Sequence, residues 1–543
     1  MASLRTIHHG FCTHESLALT FSAGVVYDCV AMTTELYTTP THIPPEKQKS
    51  YFGHPAGLFI LFFTEMWERF SYYGMRALLV LYMTSYLIKD PARAASIFGF
   101  DTLRHILETG FGPLETQPIA MQIYGLYTGF VYLSPFFGGI LADKVWGQRK
   151  SVYIGGILMA IGHFLMASER CFLLALFFLI LGNGCFKPNI SSQVGNLYAP
   201  GDSRRDGAFT IFYMGINLGA FFSPLVCGTL GQKVGWDYGF GAAGVGMLAG
   251  LVIYHLGRHM IPHDQHQQAF EQGLPSLSEG PGYAAKTIGG FLFSMVLFLG
   301  ILMLPALLKL VIIAAVVAGI IFAINKIKDS EDRSRVIALC VLCVCTIAFW
   351  AIYEQQGSTL ELWADEKTNW TFFGITIPST WYQSFNPAMI FMFAPLLDMY
   401  WTSQSKKGKA SSSVRKMGIG SILCGLAFII MIIAARVVGP GAEKGSLIWL
   451  MVTTWIFTMG ELYLSPIGLS LVTKVAPKRM LSMMMGMWFL SSFLGNYLSG
   501  YLGSFYSVIP KDLFFLILCV IGVVVGIVFF AAEGRMKKAI GDV

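Results

Sequence analysis

Between residues 64 and 76 the chain reads Thr-Glu65-Met-Trp-Glu68-Arg69-Phe-Ser-Tyr72-Tyr73-Gly-Met-Arg76, inside an otherwise apolar run. Helical spacing of three and four puts Glu65, Glu68, Arg69, Tyr72 and Arg76 along one stripe. Each ionisable group in a lipid-embedded segment costs several kcal/mol unless it is paired or wet, so such groups mark candidate sites. Two acids and two bases on one stripe point to a water-filled cavity; an ion-pair ladder locking two helices is the plainer alternative. Lys187 sits in Gly-Asn-Gly-Cys-Phe-Lys187-Pro188-Asn189, deep in a second apolar run. It needs a partner, and Glu65 or Glu68 is the expected one. Proton gain by that acid would free the lysine and make a switch; snorkelling toward a helix end is the bland reading. The second half contributes Glu354, in Phe349-Trp350-Ala-Ile-Tyr353-Glu354, and Glu461, in Gly460-Glu461-Leu-Tyr-Leu-Ser465-Pro466. Bases from one half facing acids from the other suit a solute that carries both an ammonium and a carboxylate. An Arg76–Glu354 bond would close one side of such a cavity.

The elements that must position these groups are membrane helices. Of 543 residues, 55% are hydrophobic and only 13% charged, against about 25% charged in soluble domains. Runs near the roughly 20 apolar residues needed to cross a bilayer recur from residue 53 onward. Fourteen spans are expected, at about 53–88, 118–142, 151–168, 171–198, 205–231, 237–257, 287–304, 308–325, 333–360, 380–402, 414–436, 445–474, 479–507 and 511–533. Pro305 breaks the chain between the seventh and eighth, as in a tight helical hairpin.

This layout predicts five regions. Residues 53–257 form a first six-helix bundle and 333–533 a second. Between them, 258–332 hold a cytoplasmic linker, rich in His, Gln, Gly and Pro, and a two-helix insertion. Residues 534–543 form a cytoplasmic tail. Residues 1–52 are an N-terminal extension, either cytoplasmic or a mis-called start. In it, Leu17–Ala31 reads as a short signal-like core interrupted by Asp28, or else translation begins at Met32 and Met32–Ser50 is a polar leader. The loops predicted inside carry Lys144, Arg149, Lys150, Arg204, Arg205, Arg258, Lys286, Lys326 and Lys328, with more from Arg333 to Lys538. The outer loops hold far fewer, including Lys89, Arg93, Arg104, Arg170, Lys233 and Lys511. The positive-inside rule therefore places both termini in the cytoplasm. Two halves flanking a midplane site is the usual plan of a secondary transporter.

The net charge of +7 is scattered over short loops and is not a nucleic-acid signature. Several of the ten Cys, including Cys340, Cys343 and Cys345, lie in apolar runs and read as small apolar thiols rather than a metal or redox pair. A polytopic enzyme would need a nucleophile, metal cluster or acid/base pair near the headgroups, together with sizeable polar loops; neither is evident. No metal, cofactor or obligate protein partner is implied. Asn217, Asn386, Tyr132 and Trp488 are weaker candidates, since aromatics more often pack helices or mark interfaces and capping of the Pro387 break is the plainer reading of Asn386.

Together these residues resemble the proton-dependent oligopeptide transporter (POT/PTR) family of the major facilitator superfamily, bacterial type. Its first-span E-x-x-E-R-F-x-Y-Y-G is matched by Glu65 to Gly74, and its F-Y-x-x-I-N-x-G by Phe212 to Gly219. The run from Gly138 through Asp143 to Lys150 is similar to the superfamily loop between spans two and three, whose role is conformational. The resemblance covers about residues 53–533, central hairpin included. It implies an all-α membrane protein of major facilitator fold, two six-helix bundles plus a two-helix insertion, in the bacterial inner membrane. It implies a symporter, not an enzyme, importing di- and tripeptides on the proton gradient with no cofactor. Arg69 and Lys187 would meet the peptide carboxylate; Glu461, Asn217 and Asn386 its amino terminus. Tyr72, Tyr73, Tyr132, Trp350 and Trp488 would line side-chain pockets, and Ser465, in the Glu461 motif, joins the substrate set. Glu65, Glu68, Arg69 and Lys187 would serve proton coupling. Glu354 would act in coupling and, with Arg76, in an outer gate. Animal members use a second-span histidine; none lies between Ile119 and Ala142 here, so carboxylates would handle the proton. Another solute, such as nitrate, a peptide-like drug or a metabolite, is the competing cargo.

Overall fold

A computed structural model describes residues 43–540 apart from 200, 273–274, 410, 442 and 478–479; side chains at 465–470, 473–474, 481–482 and 539–540 are also not described. Both readings of the start, the Leu17–Ala31 core and Met32, fall outside the described residues. The chain folds into long helices joined by short connections, because a backbone surrounded by lipid must satisfy its N–H and C=O groups within its own segment. In chain order they are α1 (Ala56–Tyr82), α2 (Thr116–Leu141), α3 (Gln148–Leu165), α4 (Phe172–Asn196), α5 (Arg204–Ser223), α6 (Trp236–Gly257), α7 (Pro281–Met303), α8 (Ala306–Asn325), α9 (Ser330–Tyr353), α10 (Phe385–Lys406), α11 (Ser413–Val438), α12 (Ile448–Val475), α13 (Leu481–Gly503) and α14 (Lys511–Ile540). Among the described residues nine helices are long and apolar enough to cross a membrane. The first is not one of these, since Glu65, Glu68, Arg69 and Arg76 interrupt it.

Helices α1–α6 pack on one another, as do α9–α14, and the halves meet chiefly along α2 with α13 and α5 with α10. The hairpin α7–α8 stands to one side. Leu304 before Pro305 takes φ −67° and ψ 150°, the extended conformation that a following proline imposes. No residue of α8 is buried, and Leu307, Leu310 and Phe322 are more than half exposed. Such a surface is stable only against acyl chains.

Four segments depart from the expected layout. The stretch Lys89–Gln117, left without an element above, forms helices Pro91–Ser96 and Phe100–Phe111; Asp90 starts the first by accepting the backbone N–H of Ala92 at 2.9 Å. The ninth span does not run on to residue 360. It breaks after Tyr353 into a 3₁₀ turn, Glu354–Gly357, followed by a helix at Thr359–Lys367. The polar linker contains a capped helix, Gln265–Glu271, that packs on the loop after α2. Arg149, at the start of α3, donates from Nη2 to Arg258 O (3.1 Å) and Ile261 O (2.9 Å), and its backbone N–H donates to Asp264 (3.1 Å). The described part of the tail is helical, since α14 continues to Ile540.

Glycines set how closely the helices approach. A methyl at Gly138 on α2 would lie 2.0 Å from the Gly184 carbonyl on α4. Pro188, four residues on, has no N–H to give that carbonyl, so the helix is locally open at the contact. Gly219, which ends the 212–219 motif, lets α5 approach the α1 backbone, where a methyl would lie 2.2 Å from Met66 O. The neighbouring Gly139 meets nothing within 4 Å. Gly138→Ala is therefore expected to lower the melting temperature in detergent markedly. Gly139→Ala should leave it unchanged or raise it slightly, by the roughly 1 kcal/mol of helix propensity it gains. Thermal denaturation of the pair checks this; equal behaviour would contradict the close α2–α4 contact.

Candidate functional site

Between the halves lies a cavity of about 320 Å³, at the lower end of the roughly 300–1,000 Å³ of small-molecule sites. Its wall is built from α1, α2, α4 and α5 on one side and α9, α10 and α12 on the other. Among the sequence candidates it brings together Glu65, Arg69, Tyr73, Arg76, Tyr132, Lys187, Asn217, Trp350, Glu354, Asn386 and Glu461. Glu68, Tyr72 and Trp488 are not in the wall. Glu68 is fully buried behind Arg69, Tyr72 lies with its ring centroid 5.2 Å from the Arg69 guanidinium, and Trp488 is buried on α13. The Ser465 side chain lies outside those described.

Arg69 is the hub of the α1 stripe. Its Nε lies 3.1 Å from Glu65 Oε1 and hydrogen-bonds Glu68 Oε2, and all three residues are at most 3% exposed. Their helical spacing makes this local. The geometry corrects the pairing expected for Lys187. Arg69 engages both acids, and among the described residues no carboxylate lies within 4.0 Å of Lys187 Nζ. The lysine instead rests 4.7 Å from the centroid of the Tyr132 ring, a cation–π contact.

Arg76 crosses to the second half. Its Nη2 lies 2.5 Å from Glu354 Oε2 and its Nε donates to the Tyr124 hydroxyl at 2.9 Å. The break after Tyr353 places Glu354 at the head of the 3₁₀ turn, where it meets Arg76. Nearby bonds also join the halves: Gln232 Nε2 to Ser379 Oγ (2.8 Å), Trp381 Nε1 to Thr229 Oγ1 (2.9 Å) and Ser384 Oγ to Phe221 O (2.8 Å). All lie toward the end of the bundle away from the start of α1 and the end of α14, so this conformation is fastened at that end.

On the far wall, Asn386 Nδ2 donates to Glu461 Oε2 (2.9 Å) and Thr458 Oγ1 (3.0 Å). Among the described residues Glu461 has no cation within 4.0 Å. The cavity thus holds one closed ion pair, Arg76–Glu354, one crowded cluster around Arg69, and two unspent charges of opposite sign, Lys187 and Glu461.

Sequence reading missed Tyr213, Tyr353, Gln356 and Gln383, all in the wall. Each lies one to four residues from a recognised candidate, so helical spacing around Asn217, Glu354 and Asn386 was the available signal.

Two bundles with a central charged cavity and a lipid-exposed hairpin define a multi-pass membrane protein of the secondary-carrier type. A family model described as the POT family matches residues 149–536. The chain is 37% identical over 468 residues to the peptide transporter YePEPT of Yersinia enterocolitica, covering 82% of this chain and 87% of that protein. It is 34% identical over 523 residues to the di-/tripeptide transporter of Lactococcus lactis subsp. cremoris, covering 91% and 98%. A crystal structure of a peptide transporter POT in complex with sulfate matches with TM-score 0.74 at 33% identity, covering 94% of this chain and 99% of that one. The chain belongs to the POT family, with the major facilitator fold.

Removing a cation from two buried carboxylates costs about 3–5 kcal/mol. Arg69→Ala is expected to depress the melting temperature strongly, and adding Glu68→Gln to recover part of the loss. Denaturation of wild type, single and double variants checks this; an Arg69→Ala protein as stable as wild type would contradict the neutralising role.

Proposed function

We propose that this protein imports di- and tripeptides across the bacterial inner membrane by proton-coupled alternating access, with both termini in the cytoplasm. The observation that carries the reading is the pair of unspent charges in one cavity, Lys187 from the first half and Glu461 from the second. A free peptide carries a carboxylate and an ammonium at fixed ends. Lys187, with Arg69 close by, suits the carboxylate; Glu461, held by Asn386, suits the ammonium, with Asn217 beside it. Charge-assisted bonds of this kind are roughly twice as strong as neutral ones and fix orientation. Tyr73, Tyr132 and Trp350 supply a surface tolerant of side chains. The relatives named as peptide transporters support the same cargo.

Coupling follows from the Arg69 cluster. A peptide carboxylate drawing on Arg69 competes with Glu65 and Glu68, and an acid that loses its cation in a dry cavity is stabilised by taking a proton. Peptide and proton therefore favour each other's binding. Glu354 takes part when the Arg76 bond opens on the outer side. One charge crossing about 100 mV gains about 2.3 kcal/mol, enough for on the order of 50-fold accumulation.

In liposomes, an inward proton gradient should drive accumulation of labelled dialanine by the wild type. Glu65→Gln should lose gradient-driven accumulation yet keep peptide exchange. Full accumulation by Glu65→Gln would remove Glu65 from coupling, and no dialanine uptake by wild type would refute the peptide reading.

A further inference from the structure

The second and third helices of each half are joined by a basic connection, α2 to α3 in the first half and α10 to α11 in the second. An acid and, three residues on, a tryptophan lead into both: Asp143 and Trp146, then Asp398 and Trp401. The first half covers its connection with acids of its own chain. Lys144 Nζ lies 3.2 Å from Glu279 Oε1, and Asp264 accepts the backbone N–H of Arg149. The second half has no such cover. From Asp398 to Lys416 the sequence holds five cations, Lys406, Lys407, Lys409, Arg415 and Lys416, against Asp398 as the one acid. Among the described residues no carboxylate lies within 4.0 Å of the side-chain nitrogens of any of the five.

This uncovered connection borders a recess of about 520 Å³ between the ends of α10, α11 and α12, with Lys409 and Lys416 in its wall beside Asp398. Lys416 Nζ stands 4.3 Å from the centroid of the Trp401 ring, and the Tyr463 ring meets Trp401 edge-on with centroids 5.3 Å apart. The ring places the ammonium without using its three N–H donors, which stay available to an anion. Tyr400, also in the wall, is 51% exposed. Leu396, one turn earlier on the same face, and the neighbouring Met399 are more exposed still. Trp and Tyr settle at the headgroup level of a bilayer, and an exposed apolar face beside them is stable against hydrocarbon. Cations, aromatic rings and an apolar strip thus follow one another over a single short stretch of surface.

We propose that this recess binds the headgroup of an anionic phospholipid. Lys409 and Lys416 hold the phosphate, Trp401 and Tyr400 flank the glycerol, and the acyl chains run along Leu396 and Met399. Basic pockets between membrane helices take acidic lipids in this way. The bound phosphate gives the second half the negative charge that Glu279 and Asp264 give the first. The site is separate from the central cavity and independent of its cargo, so a failure of the peptide reading leaves it standing.

The test uses delipidated full-length protein in neutral detergent, with the melting temperature as the measure of binding. It is titrated with phosphatidylglycerol, with phosphatidylcholine of the same chains, and with glycerophosphate, which has the anion without the hydrocarbon. Phosphatidylglycerol should raise the melting temperature saturably, at concentrations where the other two leave it unchanged. Each cation facing an anionic headgroup contributes about 5-fold, so Lys409→Gln/Lys416→Gln should need about 30-fold more phosphatidylglycerol for the same rise. Lys416→Arg, which keeps the charge over the ring, should respond as wild type does. So should Lys326→Gln/Lys328→Gln, which removes two cations from the connection after α8. An equal response to the two phospholipids overturns the proposal, as does a Lys409→Gln/Lys416→Gln protein that responds like wild type. Glycerophosphate acting at the same concentrations as phosphatidylglycerol makes this a soluble-anion site and overturns it too. Should the double variant fail to fold, Lys409→Gln alone, at an exposed position, decides: a shift of about 5-fold supports the site and none contradicts it.

Discussion

A guanidinium and two carboxylates, each almost wholly shielded from water, sit on successive turns of one helix in a bundle built for lipid. Transfer of any one of them alone into such surroundings would cost several kcal/mol. They coexist because Arg69 touches both Glu65 and Glu68. That neutralisation keeps the first helix in place with four charged groups on it. It also leaves one negative charge over, because two acids share one base. The cluster is therefore held in balance rather than satisfied, and a nearby cation, an arriving proton or an arriving anion each changes the balance.

The rest of the structure ties the helix that bears this cluster to both halves. Arg76, on the same helix as Arg69, reaches across to Glu354 at the end of α9. Around it the Gln232, Trp381 and Ser384 bonds fasten the same end. A single helix thus carries both the Arg69 cluster and the bond that closes one side. Glycines at 138 and 219 let the neighbouring helices pack close enough that α4 and α5 bring Lys187 and Asn217 to the cavity. Two-state rearrangement in such a body proceeds by rocking of packed units about a central site.

Much of this was legible in the sequence, for identifiable reasons. The helices announce themselves because lipid demands long apolar segments, and the charged stripe at Glu65–Arg76 stands out because such groups are costly there. Helical spacing alone placed Arg69 beside Glu65, since that contact is local. The partner of Lys187 was not legible. Which of several nearby cations takes a carboxylate depends on the distance between α1 and α4, which spacing along one helix does not encode. The break after Tyr353 coincides with a polar run, Glu354-Gln-Gln-Gly-Ser-Thr359, but polar groups were already expected inside a span that lines a cavity, so only the geometry at Glu354 separates a broken helix from a continuous one. Gln383 escaped notice because a single amide near a proline carries no signal until the cavity wall it joins is seen. The helices within Lys89–Gln117 were missed because each is too short and too mixed in polarity to read as a membrane span, although Asp90 caps the first and the second buries Phe100 and Leu107.

The central claim is that opposite charges from the two halves recognise the two ends of one small solute. The most direct measurement is binding of dialanine against its doubly blocked analogue, N-acetyl-dialanine amide, to the purified protein by calorimetry. Loss of two charge-assisted bonds, each worth about 1.5–3 kcal/mol, should weaken binding by at least 100-fold. Equal affinity for the two compounds would contradict the account.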